Sequence, residues 1–429
     1  MRLNRLLLIG LTILMLADYV GRGVIDAWSA GKNDFSDPFC GAWLWRHAMN
    51  PYDVTLATAA NLSLAGSHDK IVPVYPLTTY VLTAPLTFVS WHAANVVWAI
   101  LGTAGVAVIA FSLARLHGCT AATDIFWLVF AFVFTFAPFH TAVHGANVVV
   151  ICLALCMWAV YAASQRWDIA AGVALAVSIG LKPQLGFWIL LFYLLQRRWR
   201  VFVTVTLIGM LLLAVALLRI PEPVTSIFQN YTENLHYWFG RGGQNDFTTA
   251  NALRFQLMNA QVVLSPLVRT VLRANILAWA LWLLGIGVWC WTFLRARGVS
   301  ENLALSSLLA LSLIPFYHRS YDSGLAVFAL CWCLGESTGR VKWPARAAFL
   351  LLLVLLLPGQ SVLLRTHSSV PGWVSSSWWW NVVLAPYAVW TLLALNSVLL
   401  YAYARSGQSA RVSQNDTDTT HSEATRNRG

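Results

Sequence analysis

The chain has 429 residues, of which 58% are hydrophobic and 10% charged, with a formal net charge of +11. Soluble domains carry about 25% charged residues, so this composition excludes a water-coated globular domain. The positive charge does not point to nucleic acid either. Lys and Arg gather in short clusters between apolar runs, at Arg197-Arg198-Trp199-Arg200, Arg295-Ala296-Arg297 and Arg340 to Arg346, as they do in the cytoplasmic loops of a membrane protein.

In chain order, Arg2 and Arg5 precede an apolar run from Leu6 to about Trp28. No small-residue cleavage site closes it, so it reads as a retained first helix with its N-terminus inside. Further apolar runs fall at about 73–90, 94–114, 123–142, 147–163, 169–196, 201–219, 275–294, 303–317, 321–336, 346–364 and 381–403. Lipid offers no partner to unpaired backbone groups, so each must be helical. The expectation is an all-α polytopic membrane domain over 1–405 with about twelve transmembrane helices. Two long connections, about 29–72 and 220–274, then lie outside, and the basic clusters lie inside.

The stretch 169–196 holds Lys182-Pro183 near its middle. It is counted once, as a kinked helix, because each half falls short of the roughly 20 residues of a span. From Ser406 the sequence is polar and reads as a disordered cytoplasmic tail, 406–429. No internal repeat of the kind found in many transporters is evident. The seven cysteines form no CxxC pair, and five lie inside apolar runs, so neither a disulfide framework nor a metal site is expected.

Polar residues out of place in such a chain mark candidate chemistry. The first outer loop carries Asp34 and Asp37 where helix one leaves the membrane, followed by aromatics and Asn50-Pro51-Tyr52-Asp53. Residues 39–49 read as a helix lying in the interface. A carboxylate at such a mouth can act as a general base toward a hydroxyl; the plainer alternative is a pair of solvated loop residues or helix caps. The run Tyr317-His318-Arg319-Ser320-Tyr321-Asp322 interrupts two late apolar runs. Arg suits phosphate oxygens, whereas a structural loop would pair Arg319 with Asp322. The segment 242–254, with Gln244, Asn251 and Arg254, is rich in groups that hydrogen-bond sugars, and equally reads as a polar loop. Asp18 and Arg22 stand one turn apart and are expected to pair. Lys182 either snorkels or lines a cavity. His144-Gly145-Ala146-Asn147 falls at a span end assigned to the inside. The sequons at Asn61 and Asn230 fall in outer loops. No nucleotide loop, HExxH, GxSxG or dinucleotide fingerprint is present.

Taken in order, Asp34-Phe35 at the end of helix one, Asn50-Pro51-Tyr52, Tyr75-Pro76 with Ala84-Pro85-Leu86, and Ala171-Gly172-Val173-Ala174-Leu175 through Lys182-Pro183 to Arg197-Arg198-Trp199-Arg200 resemble glycosyltransferase family 87. The resemblance covers about residues 1–400, and Tyr317-His318-Arg319 falls at that family's polar break between late spans. Departures are Asp37-Pro38-Phe39, where the family often has tyrosines, and His144-Gly145-Ala146-Asn147 in place of its Gly-Gln.

The resemblance implies a GT-C fold and an inverting transfer of a sugar, mannose by analogy, from a polyprenyl-phosphate donor to a cell-envelope glycolipid or glycan. The site would face outward in the inner (plasma) membrane. Asp34 matches the family's catalytic Asp and would be the general base. Donor-phosphate contacts are expected from His318, Arg319, Arg254 and Lys182. Sugar or acceptor contacts are expected from Asp37, Tyr52, Gln244, Asn251, Tyr321 and Asp322. No metal or other cofactor is expected, since cationic side chains can neutralise one phosphate. The partners are then the donor, the acceptor and the bilayer, with no nucleic acid. Two alternatives are a transporter or flippase, for which Asp18, Arg22 and Lys182 would matter most, and a non-catalytic assembly factor.

Overall fold

The computed structural model describes residues 2–29, 33–251, 253–268, 270–295, 299–315, 317–336, 342–357 and 370–426, with backbone alone for 2, 3 and 407–426. Regular structure among these residues is helical, apart from one isolated antiparallel bridge between Leu257 and Arg319. Among the described residues, five helices are long and apolar enough to cross a bilayer: Asn4–Ser29, Trp91–Leu116, Trp199–Leu218, Val271–Arg295 and Tyr387–Ser406. A sixth span is a helix pair, Asp124–Thr135 and Ala137–His144, bent by 51°. The protein is an all-helical polytopic membrane protein.

The chain forms two compact units. The first is Met1–Asp246 with Ala250–Arg254 and Ser320–Gly324; the second is Phe247–Thr249, Phe255–Arg319 and Leu325–Gly429. In the first unit, α1 (Arg2–Asp18) widens into a π-helical segment, Tyr19–Ile25, and ends as α2 (Asp26–Ser29). After α3 (Ser36–Arg46), α4 (Val54–Ala65) is capped by Asp53, whose carboxylate accepts from the amides of Thr55 and Leu56. Then come α5 (Leu77–Thr83), a 3-10 segment Ala84–Phe88, α6 (Trp91–Leu116), α7 (Asp124–Thr135), α8 (Ala137–His144) and α9 (Val149–Ser164). The unit continues through α10 (Asp168–Leu181), α11 (Pro183–Leu195), α12 (Trp199–Leu218) and α13 (Val224–Phe239).

Contacts give each helix its direction. Arg5 Nε meets Asp124 Oδ1 at 2.7 Å, which sets the starts of α1 and α7 at one end. At the other end Trp91 stacks on Phe35, and Asn95 Nδ2 donates to the Ala27 carbonyl. Helix α9 runs parallel to α6, with Trp98 Nε1 bonded to the Ala146 carbonyl and Phe111 against Tyr161. Arg115, Arg166 and Arg198 therefore share the Arg5 end.

Three expectations are corrected. The stretch 73–90 does not cross. The Val74 amide and the Tyr80 hydroxyl donate to Asp37, Thr83 donates to the Pro38 carbonyl, and Arg46 donates to the Thr87 carbonyl. Both ends of α5 and its 3-10 extension thus stay beside α3. Gly41 permits this closeness, because a Cβ there would stand 2.3 Å from the Tyr80 ring. The expected interfacial helix is α3, but Phe39, Cys40, Ala42 and Leu44 are all buried beneath these neighbours.

The stretch 169–196 does not cross once as a kinked helix. It goes partway and returns, since Arg198 NH1 reaches both the Ala163 carbonyl (2.5 Å) and Asp168 Oδ1 (3.2 Å). The residue before a proline is driven to extended backbone, and Lys182, at φ −153° and ψ 91°, ends α10 and swings α11 back. Finally, the turn 144–147 meets the first outer loop and so cannot lie on the opposite face: the Asp34 amide donates to the Gly145 carbonyl at 2.9 Å.

The second unit holds α14 (Gln261–Leu264), α15 (Val271–Arg295), α16 (Glu301–Ser312), α17 (Ala329–Glu336), α18 (Lys342–Val354) and the last helix, Tyr387–Arg426. Trp289 Nε1 binds the Ala304 carbonyl, and Asn396 Nδ2 binds that of Ala310, joining α15 and the last helix to α16. The last helix continues past Ser406 through the stretch expected to be a tail; backbone hydrogen bonding alone can extend a helix into polar sequence. Residues 296–297, Arg340 and the second half of the run at 346–364 lie outside the described residues.

A cysteine-labelling experiment checks this path. With native cysteines replaced, Cys at exposed positions His68 and Phe88 should react with an impermeant thiol reagent from the same side, and Cys at Thr120 from the other. Labelling of position 88 from the Thr120 side would mean that 73–90 crosses.

Candidate active site

Asp34 is positioned by its neighbours. Asn33 Oδ1 accepts from the Phe35 amide at 3.0 Å, and Asn33 Nδ2 donates to Asn95 Oδ1 at 2.8 Å. The Phe35 ring is fully buried, stacked on Trp98 at 4.4 Å and Trp91 at 5.9 Å. With both flanking residues anchored, Asp34 is left exposed at the surface of the unit.

Its carboxylate is nonetheless oriented. Oδ2 accepts from Asn147 Nδ2 at 2.8 Å, and Asn147 Oδ1 accepts from the Val149 amide at 3.1 Å. Oδ1 has no hydrogen bond among the described residues. The turn that presents Asn147 puts Ala146 at φ +52°, in the left-handed region. Gly145 fits it for lack of a side chain, since a Cβ would lie 3.1 Å from the Thr141 carbonyl and 3.5 Å from Asp34 Oδ2.

Asp37 is half-buried one turn away, accepting from the Tyr80 hydroxyl (3.1 Å) and the Val74 amide (3.2 Å). Burial pushes its carboxyl up to about 7, against the pull of those two hydrogen bonds, and the charge of Asp34 adds to the rise. Tyr52 is buried with its hydroxyl donated to the Tyr75 carbonyl at 2.8 Å, and packs on Tyr80 and Tyr231. It acts here as a strut.

Lys182 and Asp322 form a buried ion pair, Nζ to Oδ1 at 2.6 Å, with the ammonium 5.0 Å over the Tyr321 ring. Asp322 is thus a partner of Lys182. In the 242–254 segment, Asn251 Nδ2 ties the carbonyls of Gln244 and Asp246, and the Gly242 amide donates to Asp246 Oδ2. Arg254 is buried there and Gln244 exposed. In the second unit His318 is fully buried, its carbonyl accepting from the Met258 amide, and Arg319 Nε donates to the Tyr317 hydroxyl at 2.7 Å.

Asp34, Asp37 and Asn147 thus come together in the first unit. Sequence reasoning missed Asn147, the side chain that orients Asp34. A buried amide between two apolar runs was the available signal, and the inside assignment of its turn hid it. The sequon at Asn61 is closed to modification: Asn61 is fully buried and donates to the carbonyls of Ser67 and Asp69.

Two measurements check these assignments. Removing one partner of a buried ion pair costs about 3–5 kcal/mol, while replacing both by apolar residues costs far less. Asp322→Leu alone should therefore unfold at markedly lower temperature, and Lys182→Met with Asp322→Leu should recover most of the loss. For Asp37 the folded pKa lies above the unfolded value, so its protonated form favours folding and that contribution fades as pH rises through about 7. The thermal midpoint of wild type should fall relative to Asp37→Asn between about pH 4 and pH 8; parallel curves would show an ordinary solvated carboxylate.

No curated protein and no solved structure matches the chain. The family model described as glycosyltransferase family 87 matches residues 74–315, more than half of the sequence and downstream of Asp34. The protein is a membrane glycosyltransferase, and the chain belongs to glycosyltransferase family 87.

Proposed function

We propose that this enzyme transfers mannose from a polyprenyl-phosphate donor to a hydroxyl of a cell-envelope glycolipid or glycan, with Asp34 as general base. The observation that carries this reading is an exposed carboxylate whose one oxygen is held by the Asn147 amide while the other carries no bond among the described residues. A base must be both oriented and reachable, and Asp34 is both. Asp34 would take the proton of the acceptor hydroxyl as that oxygen bonds to the anomeric carbon. The bond from that carbon to the phosphate oxygen breaks with its electron pair, and the anomeric centre inverts. Asp37, with a carboxyl near neutrality, suits a contact to acceptor or sugar hydroxyls.

Cationic side chains stabilise charge gathering on the leaving phosphate. Within the first unit Arg254 is the candidate, whereas Lys182 is neutralised by Asp322. A single phosphate needs no metal for this. Basic residues at the Arg5 end of the first unit support a plasma-membrane orientation with that end cytoplasmic and Asp34 outside.

Purified wild type and Asp34→Asn, supplied with radiolabelled polyprenyl-phosphate mannose and envelope glycolipid, test the proposal. Loss of a general base predicts a fall in turnover of about 10²–10⁴-fold, with an unchanged thermal midpoint. Asn147→Ala should give a smaller loss. Transfer by Asp34→Asn at the wild-type rate would remove Asp34 from the chemistry.

A further inference from the structure

Beside the Asp34 turn, but unused by glycosyl transfer, α1 and α8 bring three ligand-bearing side chains together. We propose that Asp18, His140 and His144 form a binding site for a divalent transition metal of the zinc class, with three protein ligands and one open position. This stands independently of the glycosyl-transfer reading.

The local sequence builds the site. His140 and His144 are four apart on α8 and so lie on one helical face, the spacing with which helices present two imidazoles to zinc. The 51° bend after α7 sets α8 on a new axis. Helix α1 changes to π-helical turns directly after Asp18, and such widenings often mark functional positions. His140 Nδ1 then lies 3.3 Å and His144 Nε2 3.8 Å from Asp18 Oδ2, with all three ligand atoms within 4.8 Å of one another. A tetrahedral ion with bonds of about 2.0–2.2 Å holds its ligands about 3.3–3.6 Å apart, so the spacing is that of a coordination sphere.

The outer contacts agree. His140 Nε2 is 2.7 Å from the Phe134 carbonyl. A carbonyl can only accept, so Nε2 carries the hydrogen, and in the neutral ring Nδ1 turns a lone pair toward the Asp18 carboxylate. Two lone pairs at 3.3 Å repel unless a cation lies between them. A backbone carbonyl holding the far N–H of a ligating imidazole is the usual support of such a site. Asp18 is steadied likewise, since its Oδ1 accepts from Arg22 Nε at 2.9 Å. Tyr19 stacks on the His140 ring at 4.3 Å and fixes its plane. The three side chains are only partly buried, which leaves an entry path and room for a fourth ligand such as water.

His144 immediately precedes Gly145, whose carbonyl holds the Asp34 amide. A bound ion would clamp the end of α8 to α1 and stiffen the turn that presents Asn147.

The test uses the full chain in detergent, stripped with chelator and titrated with Co2+ and then Zn2+. Wild type should take up one Co2+ per chain, with the visible absorption of a tetrahedral ion that Zn2+ abolishes. His140→Ala/His144→Ala should lose that signal, and His68→Ala, at an exposed histidine outside the cluster, should keep it. Zn2+ should raise the thermal midpoint of wild type and leave that of the double variant unchanged. The proposal is overturned if wild type binds no more Co2+ than the double variant, as an imidazolium–carboxylate bridge in place of a metal requires. It is overturned equally if the double variant, folded by size exclusion, binds as wild type does.

Discussion

The first unit depends on one junction between two turns. Where helix one gives out, the chain must place its last polar backbone groups at the edge of an apolar medium, and unsatisfied groups there are costly. It does so by docking on the α8–α9 turn: the Asp34 amide takes the Gly145 carbonyl, and the Asn147 side chain takes the Asp34 carboxylate. The neighbouring Asn33–Asn95–Ala27 relay and the Phe35 stack between Trp91 and Trp98 join α6 to the same place. Three helices thereby converge on one acidic residue, and its placement follows from how their ends are satisfied.

A chain this apolar has few charged side chains, and many of those inside the first unit are consumed by one another. Lys182 pairs with Asp322, Arg198 with Asp168, Arg5 with Asp124 and Arg22 with Asp18. Such pairs offset the cost of removing charge from water without leaving it available for chemistry. Against that background an acid that is exposed, oriented by an amide and without an ion pair among the described residues is conspicuous.

Much of this was legible in the sequence. The membrane class, the first helix, the Asp18–Arg22 pair and the seven free cysteines follow from composition and spacing, and the order of loose motifs from Asp34-Phe35 to Arg197–Arg200 resembled the right family. Direction was not legible. Hydropathy records an apolar environment, protein or lipid alike, and α5, α10 and α11 are apolar although none is as long as a straight span. Counting α5 as a crossing inverted the assignment of the next helices and put Asn147 on the wrong face. Polar residues were equally ambiguous: Tyr52 and Asn251 carry groups suited to sugars, yet both spend them on nearby carbonyls. Only tertiary contacts reveal whether a hydroxyl or an amide is already engaged.

The Lys182-Pro183 break has a further consequence for biogenesis. Ending α10 leaves the Gly180 and Leu181 carbonyls without helical partners, and the hydroxyls of Thr78 and Thr79, about a hundred residues earlier in the chain, cap them at 2.6 and 2.9 Å. The earlier segment emerges from the ribosome first and has to wait, its hydroxyls wet, until the later hairpin arrives. Neither element satisfies its polar groups alone, so two segments synthesised well apart must meet before either is complete.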